Sequence, residues 1–371
     1  MARNWTRGEP ACARFVREIV AEGRRLRGAQ LVVSVRDRII CDTALGAAGP
    51  DRTMAGDTVQ HVFCLTKPVV ATAVCIAAEN NGIPLDADVC DASPRLAAML
   101  GDRELSLRAV LSHAAGLHPV LAAEVMFQPR DGREAAAAAV SFAEDWPLGE
   151  AHAYSEFQGW NVLRLWLEDI TTMSFGDAVR HWLFDPLALT DIYFGVRDDE
   201  WEDVERRIGL HYDIGRTLAR PMLHELLRKH FDDHTMQSVG GYASAAGIAA
   251  FYRAILRGRE EAVAGLPPPA TIREMTTPTA APVLDPVLGS EVSFGLGFMT
   301  DLAGALGPAL GPRVFGHLGA LGQSFAIADP DTGLVGVFCS NGFLVKDGER
   351  RGSRAALCEA MYEDVASAVA A

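Results

Sequence analysis

Cys64 and Lys67 are the two residues whose types and spacing point most directly to chemistry. They lie three positions apart in an apolar stretch, and residues i and i+3 of a helix share one face. A thiol beside an ammonium group at a helix N-terminus is expected to ionise readily, which makes it a better nucleophile. We therefore predict a covalent acyl-enzyme on Cys64, with Lys67 in its activating base system. Spacing alone is a weak signal, because buried cysteines are usually inert core residues.

Three later segments carry polar groups that could complete such a site. Tyr154 begins a Tyr-Ser-Glu triplet that ends at Glu156, residues 240–244 read Gly-Gly-Tyr-Ala-Ser, and His317 lies in the Gly-rich segment 316–319. Each segment is common by itself. Together they offer a phenol and an imidazole for proton transfer beside a nucleophile.

In this order the segments resemble the serine β-lactamase and penicillin-binding-protein superfamily, whose signature is S-x-x-K with two later elements. The most similar branch holds class C β-lactamases, family VIII esterases and D-aminopeptidases, with a Tyr triplet and often His-x-Gly. Residues 111–117, 82–86 and 295–297 are similar to further segments of that branch, and the resemblance covers about residues 30–360. The chain also resembles the β-lactamase-like transacylases of antibiotic pathways such as capuramycin's, which make amides from esters without ATP.

The resemblance implies a role for each matching residue. Cys64 attacks a carbonyl carbon, while Lys67 and Tyr154 form the proton-relay pair. The neighbouring ammonium is expected to lower the pKa of the Tyr154 phenol enough for it to act as a base. His317 takes the place of the family's lysine in the third element. The oxyanion hole is expected to consist of the backbone N–H groups of Cys64 and Ala320.

The chain departs from the family pattern at two positions. Cys64 stands where the family has serine, and a thioester is more open than an ester to attack by an amine. Glu156 stands where the triplet usually ends in asparagine, which argues against β-lactam binding. We predict that Glu156 and Gly319 bind substrate, with Glu156 holding an amine or hydroxyl. His113 is expected to support the site from behind.

Several functions remain open on these residues. We rank a transacylase (amide synthase) first, then a hydrolytic esterase, a D-aminopeptidase and a β-lactamase. A catalytically inactive binding protein is a further alternative, because folds outlive functions. His230 and His234 could share a helix face, but the H-E-x-x-H zinc motif is absent, so we predict no metal and no cofactor.

The hydrophobic patterns predict the elements that position these residues. We expect a helix over 11–26, two strands around a turn within 30–41 and a loop over 46–56. Within the apolar stretch 59–80 we expect a buried helix that starts just before Cys64. Helices should then continue to about residue 189.

The C-terminal third has the patterns of strands over 294–298 and 313–341, with a hairpin over 324–338 and a final helix over 352–369. We therefore predict an α/β fold of the α+β sandwich type, in which helices flank an antiparallel sheet. The chain would be one domain, residues 1–371. Its α/β subdomain would comprise 1–60 and about 235–371, and its helical subdomain about 61–234.

Bulk composition excludes several classes of protein. The 371 residues are 49% hydrophobic and carry a formal net charge of −14, which disfavours binding to nucleic acid or anionic membranes. The seven scattered cysteines form no disulfide framework or zinc pattern. We expect a cytoplasmic enzyme with no membrane segment, acting on a small ester donor and an amine or water acceptor. The sequence does not determine the oligomeric state.

Overall fold

The computed structural model describes residues 8–23, 26–121, 124–125, 128, 130–143, 152–213, 220–222, 239–320, 323–343 and 347–370. The helices in these ranges are α1 (Ala11–Glu22), α2 (Lys67–Asn80), α3 (Val89–Ala92), α4 (Pro94–Leu100), α5 (Leu107–Leu111), α6 (Arg130–Ala137), α7 (Gln158–Thr171), α8 (Phe175–Val179), α9 (Asp198–Arg207), α10 (Ala245–Gly258), α11 (Pro269–Met275), α12 (Ala303–Leu306) and α13 (Asp347–Val369). The strands are β1 (Gly28–Val35), β2 (Arg38–Gly49), β3 (Arg52–Thr53), β4 (Gln60–His61), β5 (Ile192–Tyr193), β6 (His211–Asp213), β7 (Arg220–Met222), β8 (Tyr242–Ala243), β9 (Val283–Leu284), β10 (Glu291–Phe294), β11 (Met299–Thr300), β12 (Phe315–Leu318), β13 (Ser324–Asp329), β14 (Leu334–Ser340) and β15 (Gly342–Phe343).

A nine-stranded antiparallel sheet forms the centre of the fold, in the order β3-β2-β1-β14-β13-β12-β11-β10-β9. The predicted hairpin is β13 and β14, whose register runs from Asp329 opposite Leu334 to Ser324 opposite Cys339. Strand β1 pairs with β14, so strands from both ends of the chain share the sheet. The predicted α/β class and antiparallel sheet are confirmed.

Both faces of the sheet are covered, because side chains along each strand alternate between two cores. In β14, Val335 and Val337 join the core that contains α2, α7 and α10. Leu334 and Phe338 join the core that contains α1 and α13. The predicted first and last helices therefore pack on one face, and the central helices pack on the other.

The stretch from Phe63 to Asn80 is the most apolar helical segment among the described residues. It has the length and composition of a membrane-spanning helix, yet 89% of it is buried inside the fold. Core helices that other elements surround on all sides have this composition. The segment divides into a 3₁₀ turn, Phe63–Thr66, and α2, so the α-helix begins at Lys67 rather than just before Cys64 as predicted.

The structure corrects two further predicted elements. The region 46–56 is not all loop, because β2 continues to Gly49 and pairs with β3. Residues 294–298 are not a strand but a hairpin connection, since β10 ends at Phe294 and β11 starts at Met299. Gly297 lies in this connection with a φ of 79°, and a Cβ there would stand 2.1 Å from the Cβ of Ala71 in α2. The glycine therefore lets the connection contact α2 closely.

The described strands of the main sheet come from residues 28–53 and 283–340. Among the described residues, 60–213 contribute helices and short strands of two smaller sheets. The proposed division into an α/β and a helical subdomain stays a prediction.

Candidate active site

Cys64 is the second residue of the 3₁₀ turn that leads into α2. The first amides of a helical turn have no partner within the turn, so the Cys64 N–H is available to a ligand. Phe63, immediately before it, has a φ of 52°, in the left-handed region that non-glycine residues rarely occupy. Local strain of this kind persists only where the surrounding structure holds it, and it is common at functional sites.

The glycine-rich segment 240–244 packs against this turn. The Gly241 carbonyl accepts a hydrogen bond from the Val62 N–H at 3.1 Å. A Cβ on Gly241 would lie only 2.1 Å from Cγ2 of Thr66, between the nucleophile and Lys67 in the chain. Segment 240–244 therefore supports the 3₁₀ turn that carries Cys64. A larger residue at position 241 would displace Thr66.

Lys67 projects from the first turn of α2 and is fully buried. Its Nζ atom donates hydrogen bonds to the Cys64 sulfur at 3.3 Å and to the Glu156 main-chain carbonyl at 3.0 Å. The ring centroids of Tyr154 and Trp160 lie 5.2 and 5.3 Å from the same nitrogen. These aromatic faces partly replace water around a protonated amine.

The segment that carries Tyr154 is held by three consecutive backbone amides. Ala153 N–H donates to the His113 carbonyl at 3.0 Å, and Ser155 N–H donates to Nδ1 of the same histidine at 2.9 Å. Between them, Tyr154 N–H donates to the Asp285 carboxylate at 2.8 Å. His113 therefore supports the tyrosine from behind, as predicted.

The protonation of the Cys64–Lys67 pair differs from the sequence prediction. Burial raises the pKa of the Cys64 thiol, and although the charge of Lys67 lowers it, burial has the larger effect. Burial likewise lowers the pKa of Lys67 below its ordinary value. The expectation of a resting thiolate is therefore wrong, because the i, i+3 spacing showed proximity but not burial. The geometry favours a neutral thiol beside an amine that releases its proton readily.

Tyr154 also differs from its predicted ionisation. Its side chain is 3% exposed, and burial raises the pKa of the phenol well above its ordinary value, aided by the nearby Cys64 and Glu156 charges. The expected lowering by Lys67 is therefore wrong. Interaction with the Tyr154 hydroxyl lowers the pKa of the Cys64 thiol. The phenol can thus act as a hydrogen-bond donor to sulfur and as a proton carrier.

His317 lies on β12 with its ring 6.0 Å, centroid to centroid, from that of Tyr154. Its Nδ1 lies 2.8 Å from the Leu318 carbonyl, an acceptor, so the proton is assigned to Nδ1. Burial, with the charge of Lys67, lowers the pKa of His317 to about 3. The ring is therefore neutral at physiological pH, and its buried Nε2 is an acceptor with no hydrogen-bond partner among the described residues.

The end of β12 contacts the residues before the nucleophile through Gly319. A Cβ there would stand 2.0 Å from Oγ of Ser324 and 2.9 Å from the carbonyl of Val62. Gly319 N–H already donates to the Ser324 carbonyl at 2.8 Å, which leaves only its own carbonyl for a substrate. Ala320 follows at once, so the two predicted oxyanion amides belong to segments in direct contact.

Apolar side chains surround the nucleophile and the tyrosine. Cys64 and Tyr154 belong to one hydrophobic cluster whose partly buried members include Val120, Val287, Leu288, Leu318 and Ala320. Glu156 is half-buried at the end of the triplet, and its carboxylate acts on Cys64, Lys67 and Tyr154. The structure thus brings Cys64, Lys67, Tyr154, His317 and Glu156 together.

No cluster of three or more metal-ligating side chains occurs among the described residues. His230 and His234, the predicted alternative, lie outside those residues. The cysteines are all free.

Two further residues at this site are not marked by any sequence motif. Trp160 is buried, as expected of a core residue, but it also flanks the Lys67 amine. Asp285 holds Tyr154, yet its sequence context, Asp-Pro-Val-Leu-Gly, indicates only a turn.

An antiparallel sheet with a helical layer, and a cysteine one turn before a buried lysine beside a tyrosine, are the features of an enzyme of the acyl-transferring, β-lactamase-like class. The sequence matches the profile of the Beta-lactamase family over residues 13–359, and the chain belongs to that family. No curated protein sequence matches it.

Solved structures share the fold at low sequence identity. EstCE1, described as a hydrolase with promiscuous acyltransferase activity, superposes with a TM-score of 0.75 at 19% identity, covering 95% of this chain and 98% of its own. A penicillin-binding protein homologue from Caulobacter crescentus has a TM-score of 0.75 at 24% identity, with 95% and 96% covered. A mutant simvastatin synthase from Aspergillus terreus has a TM-score of 0.76 at 17% identity, with 96% and 95% covered. These similarities confirm the predicted fold.

Proposed function

We propose that this enzyme transfers an acyl group from a small ester to an amine through a thioester on Cys64, without ATP or a metal. The observation that carries the proposal is the buried contact of 3.3 Å between Lys67 Nζ and Cys64 Sγ, beside the Tyr154 phenol. A nucleophile and a base within hydrogen-bonding distance, oriented by a third group, are the usual elements of covalent acyl transfer.

The first half-reaction begins with the neutral forms of the thiol and the amine. Lys67 takes the Cys64 proton as sulfur attacks the ester carbonyl carbon, and the carbonyl π electrons move to oxygen. When the tetrahedral intermediate collapses, the C–O bond breaks and the alkoxide leaves. Tyr154 gives its proton to that alkoxide and regains one from the Lys67 ammonium. The products are an alcohol and a thioester, with every protein group as it began.

The negative oxygen of the intermediate needs donors that are already in place. The backbone N–H groups of Cys64 and Ala320 serve this purpose in the proposal, and each such donor typically contributes about 3 kcal/mol. Gly319 would contact substrate through its carbonyl, because its N–H is engaged with Ser324.

In the second half-reaction the amine nitrogen attacks the thioester carbonyl carbon and the C–S bond breaks. Tyr154 and Lys67 pass the proton that the amine loses to the leaving Cys64 sulfur, so the products are an amide and the free thiol. A thioester reacts with amines more readily than an oxygen ester does, which favours transfer over hydrolysis. The neutral His317 offers Nε2 as an acceptor for an N–H of the incoming amine. The Glu156 carboxylate would hold a second cationic or hydroxyl group of the acceptor, and the apolar side chains around Cys64 would hold the acyl chain.

Hydrolysis of small esters is the second candidate. The same site would use water in place of the amine, and the similar fold of EstCE1, described as both hydrolase and promiscuous acyltransferase, supports a site that does both. A cytoplasmic role in secondary metabolism, including antibiotic biosynthesis, forms part of the transacylase proposal. A catalytically inactive binding protein is disfavoured, because Lys67, Tyr154 and His317 would then have no need to converge.

Intact-mass spectrometry with a panel of methyl and thiophenyl esters tests the proposal. We expect an acyl adduct on the wild-type protein and on Cys90→Ala, a control cysteine that is half-buried on α3, and none on Cys64→Ala. Addition of amines should release the acyl group as an amide faster than water releases an acid. Exclusive hydrolysis at high amine concentration would favour the esterase, and equal acylation of Cys64→Ala would exclude this nucleophile.

A further inference from the structure

Asp285 is a fully buried carboxylate in the turn between β9 and β10. Its Oδ1 accepts hydrogen bonds from the N–H groups of Val287 at 2.9 Å and Leu288 at 2.8 Å. These two bonds are local and would suit any turn of this kind. Its Oδ2 accepts a third, from Tyr154 N–H at 2.8 Å, across 131 residues of sequence.

Burial raises the pKa of the Asp285 carboxyl, and the hydrogen bonds from the Leu288, Tyr154 and Val287 N–H groups offset part of that rise. All three contacts come from N–H groups, which stabilise the carboxylate form. An unpaired charge in the core is costly, and backbone dipoles offset only part of that cost. A neutral side chain with one acceptor oxygen could make the two turn bonds without the free-energy cost of a buried charge. The second carboxylate oxygen is needed only for the bond to Tyr154.

His113 accepts hydrogen bonds from the N–H groups on either side of Tyr154, and Asp285 accepts the bond from Tyr154 N–H itself. We infer that Asp285 is a positioning residue for Tyr154, which places the phenol against Cys64 and links its position to the turn that carries Val287 and Leu288. This inference rests on the proposed role of Tyr154 at Cys64. Asp285 touches neither the nucleophile nor the substrate in this role.

The charge of Asp285 acts on the tyrosine in the same sense as its geometry. Burial, then Cys64 and Glu156, and finally Asp285 raise the pKa of the Tyr154 phenol. A protonated phenol is the form that donates to sulfur, and burial is the main reason that Tyr154 stays in this form, with Asp285 adding the smallest contribution.

A double-mutant cycle between Asp285→Asn and Tyr154→Phe tests the inference. Asparagine keeps the size of the side chain, but its amide cannot accept bonds at both ends, so the Tyr154 or the turn amides lose their partner. We measure the rate at which iodoacetamide alkylates Cys64, which needs no substrate, and the rate of acylation by a thiophenyl ester. Each single variant should slow both reactions by about 10- to 100-fold, since small misplacements have effects of this size.

The double variant should react at the rate of Tyr154→Phe alone, because residues that act through one another are not additive. Asp329→Asn is the matched control, since Asp329 is also buried and accepts bonds from Asp331 N–H, Thr332 and Tyr362 at the far hairpin turn. It should react at the wild-type rate. Asp285→Glu, which keeps the charge but displaces the oxygens, is a second variant with the same expected non-additivity.

Two outcomes would overturn the inference and leave Asp285 a role in stability alone. One is a wild-type rate in Asp285→Asn, and the other is a rate loss in the double variant equal to the product of the two single losses. The alkylation rates test the role of Asp285 even when no ester reacts, because alkylation of Cys64 needs no substrate. Failure of every ester to acylate the wild-type protein would instead reject the proposed function, so the two failures are distinguishable.

Discussion

The Nζ atom of Lys67 donates to the sulfur of Cys64 at 3.3 Å, and both side chains are buried. Burial moves the two pKa values towards each other, raising that of the thiol and lowering that of the amine. Transfer of the proton from sulfur to nitrogen before attack therefore requires more free energy than the ordinary values of the two groups suggest, which favours a neutral thiol and a neutral amine at rest and proton transfer as sulfur attacks.

Lys67→Met should inactivate the enzyme while stabilising its fold. Methionine fills a similar volume and removes the base, which typically lowers a rate by about 10²- to 10⁴-fold. Replacing a buried ionisable group by an apolar one often stabilises a protein, here by about 1 kcal/mol or more. Acylation rates and urea unfolding check the two effects.

The same variant has a pH signature. Because the pKa of Lys67 is lowered in the folded state, the unfolded state binds more protons between the folded and unfolded pKa values, and the free energy of unfolding rises with pH across that window. Lys67→Met should lack this rise. An unfolding free energy with the same pH dependence in both proteins would contradict the lowered pKa.

The rate of Cys64 alkylation should rise with pH around a midpoint above the pKa of an ordinary thiol, because burial is the largest effect on the pKa of Cys64 and raises it. Tyr154→Phe and Lys67→Met should move the midpoint higher, since both groups lower this pKa, and Glu156→Gln should move it lower. The pH dependence of iodoacetamide labelling at Cys64, followed by mass spectrometry, measures each shift. A wild-type midpoint near neutrality would show a resting thiolate.

His317→Asn should slow acyl transfer without moving the pH optimum. With a pKa lowered to about 3, the ring carries no charge between pH 5 and pH 8, so its loss removes an acceptor and no titration in that range. We expect a fall of about 10-fold, the order for loss of a hydrogen bond to a buried group. A pH profile that loses an inflection near pH 6 in His317→Asn would show that the histidine titrates.

Gly319→Ala should damage the site, whereas Gly311→Ala should not. The added Cβ at residue 319 overlaps Ser324 and approaches the Val62 carbonyl, while the same atom at residue 311 meets nothing within 4 Å. Overpacking of this kind costs about 1–3 kcal/mol and would move the Ala320 amide away from Cys64. The midpoint temperature of thermal unfolding and the acylation rate should both fall in Gly319→Ala and stay at wild-type values in Gly311→Ala.

The positions of the main catalytic candidates could be predicted from the sequence because their order is a family motif. Their ionisation could not, since the spacing of Cys64 and Lys67 fixes a shared helix face but leaves burial undetermined. Asp285 was missed for a related reason. Its bond to Tyr154 joins segments 131 residues apart, and no local pattern marks such a contact.

Secondary-structure elements with a local sequence pattern could be predicted, whereas those that depend on distant contacts could not. The hairpin over 324–338 was predicted from its turn residues, and the final helix from its apolar spacing. The 3₁₀ turn before Lys67 and the connection around Gly297 were missed. Both depend on close contacts with distant elements, Gly241 at the first and Ala71 at the second.

The pairing of β1 with β14 has a consequence for how the protein is made. The ribosome synthesises Cys64 and Lys67 early, but the strand that carries His317 and the Ala320 amide emerges some 250 residues later, at roughly 5–20 residues per second. β1 can pair with β2 at once but lacks its other neighbour, since Val32 also pairs with Val337 near the end of the chain. A nascent chain therefore holds its reactive thiol for many seconds before an oxyanion hole exists to use it.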